Sequence, residues 1–424
     1  MTEGRGKVKG MDKITAATSP QVLRQVNARR VLDYAWHVGA FTATDAMAAS
    51  GLTRSTVIGV CDDLVQQGWL VELRDARAVG AYTKGRPARR YALCDRAVVV
   101  VGVDAGYERI TATVADLRGK PIGGQSVAIP AEGAGSVERL ADAAARRSIA
   151  QAAVRDALAS CGVNPAAVLA ITVAVPAPVD ADGASPRNDW FWSLTNPDYA
   201  GLFAGQALIV TIENDANLAA IAEQSAPEGG GRDTDSFIAL LMGEGMGAGL
   251  MIDGRLVRGR RGGAGEMRFL DHVEGVGSPS GAALLARQWA VEAIRSGLPV
   301  DSPLGRLDPE TLDEAAVART ALDGDPAAIA IIDRLAARVA RICLVLGDLL
   351  DVDRIVIGGE AAVSLPVVIE RAAAILDGSG DPTAPDLVAS ALGPDAVRIG
   401  AIEHALALVR ARAFEISPTE LDVA

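Results

Sequence analysis

Two stretches decide how the chain is organised: AVVVVGVDAG at 97–106 and SFIALLMGEGMGAGLMIDG at 236–254. In each, an apolar run of strand length stops at a glycine turn, Asp104-Ala105-Gly106 in the first and Gly243-Glu244-Gly245-Met246-Gly247 in the second. Paired turns of this kind can present backbone N–H groups to a phosphate from both sides. Asp104, Gly106, Gly243, Gly245 and Gly247 are therefore the candidate phosphate-loop residues. Outward from the first turn, the pattern predicts strands near 98–104, 109–115 and 122–129 and a long helix at 137–160. Strands at 168–175 and 208–213 follow, the latter leading into a helix from Asn214. Outward from the second, it predicts strands at 236–242 and 248–252, a short strand after Gly254 and helices near 280–296 and 327–350. A strand at 354–358 and a helix after Glu360 complete this half. Three strands with tight turns, then alternating helices and strands, read as one architecture written twice: two α/β lobes facing a cleft.

Ahead of this lies a different pattern. Residues 1–19 are polar and patternless. From Pro20, Ala28, Val31, Leu32, Ala35 and Val38 keep the three-and-four spacing of a buried helix face. A short helix near Thr44–Ser50 and the turn Gly51-Leu52-Thr53 lead to a helix burying Val57, Val60, Cys61, Leu64 and Val65. Two short strands follow, Trp69–Leu73 and one ending in YAL at 91–93. Helix, helix, turn, helix and hairpin is the order of a winged helix-turn-helix. Thr53 can cap the last helix, which places Arg54, Ser55 and Thr56 at its exposed amino end, where base edges and phosphates are met. Gly59 lies opposite the buried stripe and costs a helix about 1 kcal/mol relative to alanine; close approach to DNA is one reason to omit its side chain. Lys84, Arg86, Arg89 and Arg90 concentrate positive charge on the hairpin. A capped helix and a solvated basic loop in a protein-binding module is the competing interpretation.

Bulk properties fit a globular chain. The chain has 424 residues, half of them hydrophobic, and a mean hydropathy of +0.22. The longest aliphatic run is nevertheless too short to span a bilayer, and the amino terminus lacks the apolar core of a secretory signal. The four cysteines stand far apart, pointing to a reduced, cytoplasmic setting. Net charge is −12, yet residues 1–96 hold 15 basic against 9 acidic residues. A basic head on an acidic body directs polyanions to the head alone.

Taken together, NARRVL (27–32), SGLTRSTV (50–57), GRPARRY (85–91), VGVDAG (101–106), ITVAVPAPVDADG (171–183), IENDAN (212–217), LMGEGMGAGLMIDG (241–254), RGGAGEM (261–267) and VIGGE (356–360) resemble the ROK family of repressors, open reading frames and kinases. The head is most similar to that of the family's xylose- and N-acetylglucosamine-type repressors. The resemblance implies an N-terminal winged helix-turn-helix (20–96) behind a disordered lead (1–19). Two actin-like ATPase (ribonuclease H-like) lobes around a cleft follow, at 97–224 and 225–424, the first completed by a C-terminal helix at 401–413. In the family's kinases the aspartate of the N-D-A-N segment takes the proton of a sugar hydroxyl. That position is Asp215 here, with Asn214 beside it as a sugar contact; the pair also reads as a helix N-cap.

Several positions depart from the kinase pattern. Tyr107 and Glu108 replace a glycine and a hydroxyl residue of the first phosphate loop, and Glu244 stands where a threonine is usual. A carboxylate aimed at phosphate repels it, and a ring blocks the approach that glycine permits. Phe269 takes the place of the zinc-binding histidine, and 271–286 holds no cysteine, so no metal and no cofactor are expected; His272 reads as a surface residue or a displaced ligand. Asn188, Trp190, Asn214, Asp215 and Glu266 are the candidate sugar contacts. Trp190 and Trp192 serve equally well as a stacking platform or as a hydrophobic lid. The resulting expectation is a non-enzymatic DNA-binding regulator, a homodimeric or larger repressor of sugar-metabolism genes. Its partners are an operator duplex and a sugar or sugar-phosphate effector, with no membrane. An ATP-dependent sugar kinase with a DNA-binding head, and a regulator whose body only dimerises, are the alternatives.

Overall fold

The computed structural model describes residues 20–73, 88–95, 97–130, 142–416 and 418. The chain divides into two compact units next to Asp95, called here the head and the body. No helix among the described residues is long and apolar enough to cross a membrane.

The head runs α1 (Pro20–His37), β1 (Phe41–Thr42), α2 (Ala43–Ser50), α3 (Arg54–Gln66), β2 (Leu70–Leu73) and β3 (Arg90–Leu93). Val31, Leu32 and Ala35 of α1 share a core with Val57, Val60, Cys61 and Leu64 of α3, while Val65 is half-buried. A capping box starts α2: the Thr42 side chain accepts from the Asp45 N–H, and the Thr42 N–H donates to Asp45 Oδ2 at 2.8 Å. This satisfies two of the donors that a helix start leaves open. Gly51, at φ 70, ends α2, and Thr53 caps α3 by accepting from the Thr56 N–H. The three strands form a sheet in the order β1–β3–β2. Phe41, Trp69 and Tyr91 fill the space beneath it, each essentially inaccessible to solvent. Aromatic burial on this scale lets so small a unit hold a core.

The body's first lobe contains β4 (Val99–Ala105), β5 (Arg109–Ala115), β6 (Pro121–Ala128), α4 (Ala143–Ser160), β7 (Val168–Val175), α5 (Trp190–Thr195), α6 (Tyr199–Phe203), β8 (Ile209–Asn214) and α7 (Asp215–Ser225). The second contains β9 (Phe237–Met242), β10 (Met246–Ile252), β11 (Arg255–Val257), α8 (Ala282–Arg295), α9 (Glu314–Leu322), α10 (Pro326–Leu350), β12 (Arg354–Gly358), α11 (Glu360–Ser364), α12 (Pro366–Gly378) and β13 (Asp386–Ala389), and α13 (Ala396–Ala411) follows it in the chain. The sheets are ordered β6–β5–β4–β7–β8 and β11–β10–β9–β12–β13, the same path traced twice. In each, three strands meander antiparallel and two more join parallel to the first. Every residue of β7 is buried, as a central parallel strand covered on both faces requires. Helix α13 packs on β4, β7 and α7, so the chain's last helix closes over the first lobe.

Candidate functional site

Register brings the cleft residues together. Asp104 lies opposite Ala174, Ala174 opposite Glu213, and Val175 opposite Asn214. The carboxyl ends of β4, β7 and β8 therefore share one edge, where open α/β sheets bind ligands. The chain turns from β8 straight into α7 through Asn214, whose Oδ1 accepts from the Asn217 N–H at 3.0 Å and whose Nδ2 donates to the Ala177 carbonyl at 3.1 Å. Asn214 is thus an N-cap with most of its bonding capacity already used.

Asp215 follows, accepting from the Ala216 N–H at 2.7 Å. Burial raises its carboxyl to about 7 against that hydrogen bond, and the charges of Asp104 and Glu266 push the same way. Burial likewise raises Asp104 to about 6, with Arg146 opposing. Glu266 is raised by burial and by Asp189, with Arg268 opposing. Asp215 thus senses one carboxyl from its own lobe, Asp104, and one from the second, Glu266. Gly265 sets the last of them in place: at φ +88, a Cβ there would lie 1.8 Å from the Ala248 carbonyl. Only glycine lets the loop run so close to β10 before it presents Glu266. Phe269, three residues on, packs against the core of the second lobe, and His272 is exposed.

The side of the cleft that carries the two glycine turns is built differently. Buried Arg146 donates to the carbonyls of Ala105 and Gly106 at 2.9 and 2.7 Å, fixing the first glycine turn from beneath. Above it, the Tyr107 ring stacks on Phe191 of α5, centroids 6.4 Å apart. The second turn, Gly243–Gly247, is pinned to the start of α8 by the Gly281 N–H donating to the Glu244 carbonyl at 2.9 Å. Its Glu244 carboxylate pairs with Arg287, and Arg287 also holds Glu314 at 2.8 Å. Burial raises Glu360, followed by the charges of Glu314, Glu108 and Glu244, with Arg287 opposing. Two carboxylates, Glu244 and Glu314, therefore share one guanidinium, and Glu360 senses both of them together with Glu108.

The two tryptophans sit in different surroundings. Trp192 packs against the first-lobe core under the Arg268 guanidinium, 4.4 Å from the ring centroid, and Arg268 also pairs with Asp189, the cap of α5. Trp190 is 58% exposed, and Asn188 is exposed beside it. Trp192 is thus tied to the first lobe and to Arg268, whereas Trp190 meets the Phe191 ring edge-on at 6.0 Å.

On the head, Arg54, Ser55 and Gly59 are exposed along α3 and Thr56 is half-buried. Among the described residues no atom lies within 4 Å of a Cβ built on Gly59, so none of them calls for glycine there. Arg90 is exposed at the start of β3. Arg89 is occupied: it holds Glu72 through two bonds at 2.8 and 2.6 Å and Asp62 at 2.6 Å, and lies 5.3 Å from the Tyr91 centroid. It fastens α3 to the β2–β3 hairpin, and its charge is largely neutralised. Lys84 and Arg86 lie outside the described residues. Arg146, Arg268, Arg287 and Glu314 were not legible in advance, since a lone arginine in an arginine-rich chain carries no local pattern.

The ROK family model matches residues 100–407. The chain belongs to the ROK family. Glucokinase from Streptomyces coelicolor is 27% identical over 326 residues, 72% of this chain and 97% of the enzyme. The beta-glucoside kinase of Listeria monocytogenes is 46% identical, but over 69 residues that are 16% of this chain, so the chain spans about a quarter (23%) of that kinase. Among solved structures, a ROK family transcriptional regulator, a homologue of the E. coli MLC protein, matches with a TM-score of 0.63 at 21% identity, covering 91% of this chain and 96% of that one. The ROK family glucokinase from Streptomyces griseus, in complex with glucose and AMPPNP, matches with a TM-score of 0.54 at 24% identity, covering 72% and 99%. The sugar-kinase-like fold with two α/β lobes is therefore common to regulators and kinases, and it is the fold of this ROK body.

Proposed function

We propose that this ROK chain is a DNA-binding transcriptional regulator, a repressor of genes for sugar or sugar-derivative metabolism, whose kinase-like body senses a ligand without phosphorylating it. The observation that carries the reading is the glycine-turn side of the cleft. Tyr107 stacks on Phe191 beside the first turn, Glu244 and Glu314 share Arg287, and the charges of Glu314, Glu108 and Glu244 act together on Glu360. A triphosphate there meets like charge, and Arg287, already shared between Glu244 and Glu314, offsets little of it. Asp104, Asp215 and Glu266 remain as acceptors for hydroxyls, favouring an unphosphorylated sugar over a sugar phosphate.

The head reads as a winged helix-turn-helix: α2 and α3 form the motif, α3 lies in the major groove, and β2 and β3 carry the wing. The match to the regulator supports this, since it covers 91% of the chain, more than residues 100–407 supply. Arg54, Ser55, Thr56, Gly59 and Arg90 make the duplex contacts, joined by Lys84 and Arg86, and Arg89 braces them. Two chains bind a pseudo-palindromic operator as a homodimer, and the sugar changes operator affinity by binding one state of the cleft better than the other.

Selection of bound fragments from genomic DNA, with and without a sugar panel, tests the first half of this reading. A coupled ADP-release assay over the same panel tests the second. Enriched fragments without ADP release are expected. The kinase alternative draws on one observation, the Asp215 carboxyl raised to about 7, which suits a general base near neutral pH. Sugar-dependent ADP release that disappears in Asp215→Asn, with no DNA fragment retained, establishes the kinase instead. Thermal shifts with the panel separate a sensing body from one that only dimerises.

A further inference from the structure

The loop 258–266, which carries Glu266, meets the first lobe at two separate points. At one, Gly262, with φ +70, runs so close to Val179 that a Cβ would lie 1.8 Å from the Val179 carbonyl. At the other, Arg258 Nε donates to Glu213 Oε2 at 2.6 Å. Glu213 immediately precedes Asn214 and Asp215 and is only 4% exposed. Its other oxygen, Oε1, accepts from the Asn214 N–H and from Asn217 Nδ2, both at 2.9 Å. Within the loop, the Ala264 N–H donates to the Arg258 carbonyl at 3.2 Å and the Glu266 N–H to the Gly263 carbonyl at 3.3 Å, so the segment folds back on Arg258. His404 of α13 stands close enough to sense both charges, but burial lowers its pKa, with Glu213 opposing and Arg258 reinforcing. It is therefore neutral near physiological pH, and Arg258 alone neutralises Glu213 within this group.

We infer that Arg258 is a positioning residue: it fastens the Glu266 loop of the second lobe to the Asn214–Asp215 corner of the first, so that the two ligand-reading segments move as one piece. The inference rests on the ligand-sensing reading of the cleft. A buried carboxylate holds its place only while its charge is met. Without Arg258, Glu213 keeps two amide donors and no cation, and the corner it anchors gives way together with the loop. Closure of the cleft then becomes a hinge about the rest of the second lobe, with Glu266 and Asp215 staying in register.

Hydrogen exchange on the full-length protein without ligand tests this directly. In Arg258→Ala, exchange across 213–217 and 258–266 is expected to rise at least tenfold together, with β4 and α10 unchanged, and Arg258→Lys restores much of the protection in both segments. Glu213→Gln, which turns an amide NH2 toward Arg258, loosens the same two segments, and the double variant is no worse than either single one. A rise confined to 258–262, or one spread evenly over the body, overturns the inference. A second readout is tryptophan fluorescence titrated with D-glucose, where Arg258→Ala weakens binding at least tenfold and Arg258→Lys recovers most of it. If the wild-type protein ignores glucose, that result counts against the sensing reading, and the exchange data decide the positioning role by themselves.

Discussion

Replacing Gly59 with alanine separates what the head needs for folding from what it needs for DNA. Glycine inside a helix costs about 0.8–1 kcal/mol relative to alanine. Gly59 is exposed on α3 with no atom of the described residues within 4 Å of a built Cβ, so the new methyl meets no obstacle among them and the whole gain reaches the folded state. A stabilisation of about 1 kcal/mol raises the melting temperature of a 60–100-residue domain by roughly 4–8 °C, which scanning calorimetry resolves on the head's own transition. If this face of α3 lies in the major groove, the same methyl faces the duplex and operator affinity falls about tenfold, or about 1.4 kcal/mol. Fluorescence anisotropy on a selected operator fragment at fixed salt reads that loss, and salt must be fixed because phosphate contacts dominate affinity. A head that becomes more stable and binds as tightly as before refutes the groove assignment. One that becomes less stable refutes the reasoning about the helix itself.

Arg54→Ala and Arg90→Ala are each expected to weaken operator binding by about 1–3 kcal/mol with little change in head stability, measured by anisotropy and thermal melting. Arg89→Ala does the reverse in part: it costs the head roughly 0.5–1 kcal/mol, since its ion pairs are half-exposed, and leaves the salt dependence of DNA binding nearly unchanged because that charge is already shared with Glu72 and Asp62. Asp104 and Asp215 hold protons in the folded body up to about 6 and about 7 that the unfolded chain releases near pH 4. Their contribution is thus full below pH 4 and is lost as pH rises through 6–7; urea unfolding at pH 5 and 8 should show the decline, and Asp215→Asn should recover on the order of 1–3 kcal/mol at pH 8. Tyr107→Gly combined with Glu244→Thr reopens both turns, and isothermal titration should then detect a non-hydrolysable ATP analogue that the wild-type protein does not bind.

Much of the body was legible because its signals are local. Apolar runs ending in glycine turns mark β4 and β9, and the repeat of that pattern gives two lobes before any register is known. The segments that escaped have no such mark. Strand β1 is two residues long, and β13 has an irregular burial pattern; each exists because a neighbouring strand offers a free edge, not because its own sequence alternates. The long helix read as starting at 137 has its cap at Asp142, accepting from the Ala144 and Ala145 N–H groups; in so alanine-rich a stretch helix propensity does not mark the boundary, and the cap does. At the cleft, residue types were readable and partnerships were not. Glu244 was visible as a carboxylate in a phosphate loop, but that Arg287 holds it together with Glu314 depends on α8 and α9 folding beside it. Arg89 illustrates the same limit on the head: a basic cluster in sequence says nothing about which member turns inward to an acid.

These partnerships bear on why a body with a kinase's outline keeps Asp215 at all. A base near neutral pH is useful to a kinase only if the γ-phosphate can be brought beside it. Near a protein surface, a like-charge pair 4 Å apart costs about 4 kcal/mol, and the Arg287 guanidinium is already divided between Glu244 and Glu314. The same raised carboxyls are less costly to a neutral sugar. Asp104 and Asp215, which burial raises to about 6 and about 7, both donate to and accept from hydroxyls when protonated. A ligand that satisfies these two and Glu266 must touch both lobes at once, because Glu266 comes from the second and the other two from the first. Under the proposed function, sugar-dependent closure gives Asp215 a role in recognition that needs no phosphate transfer.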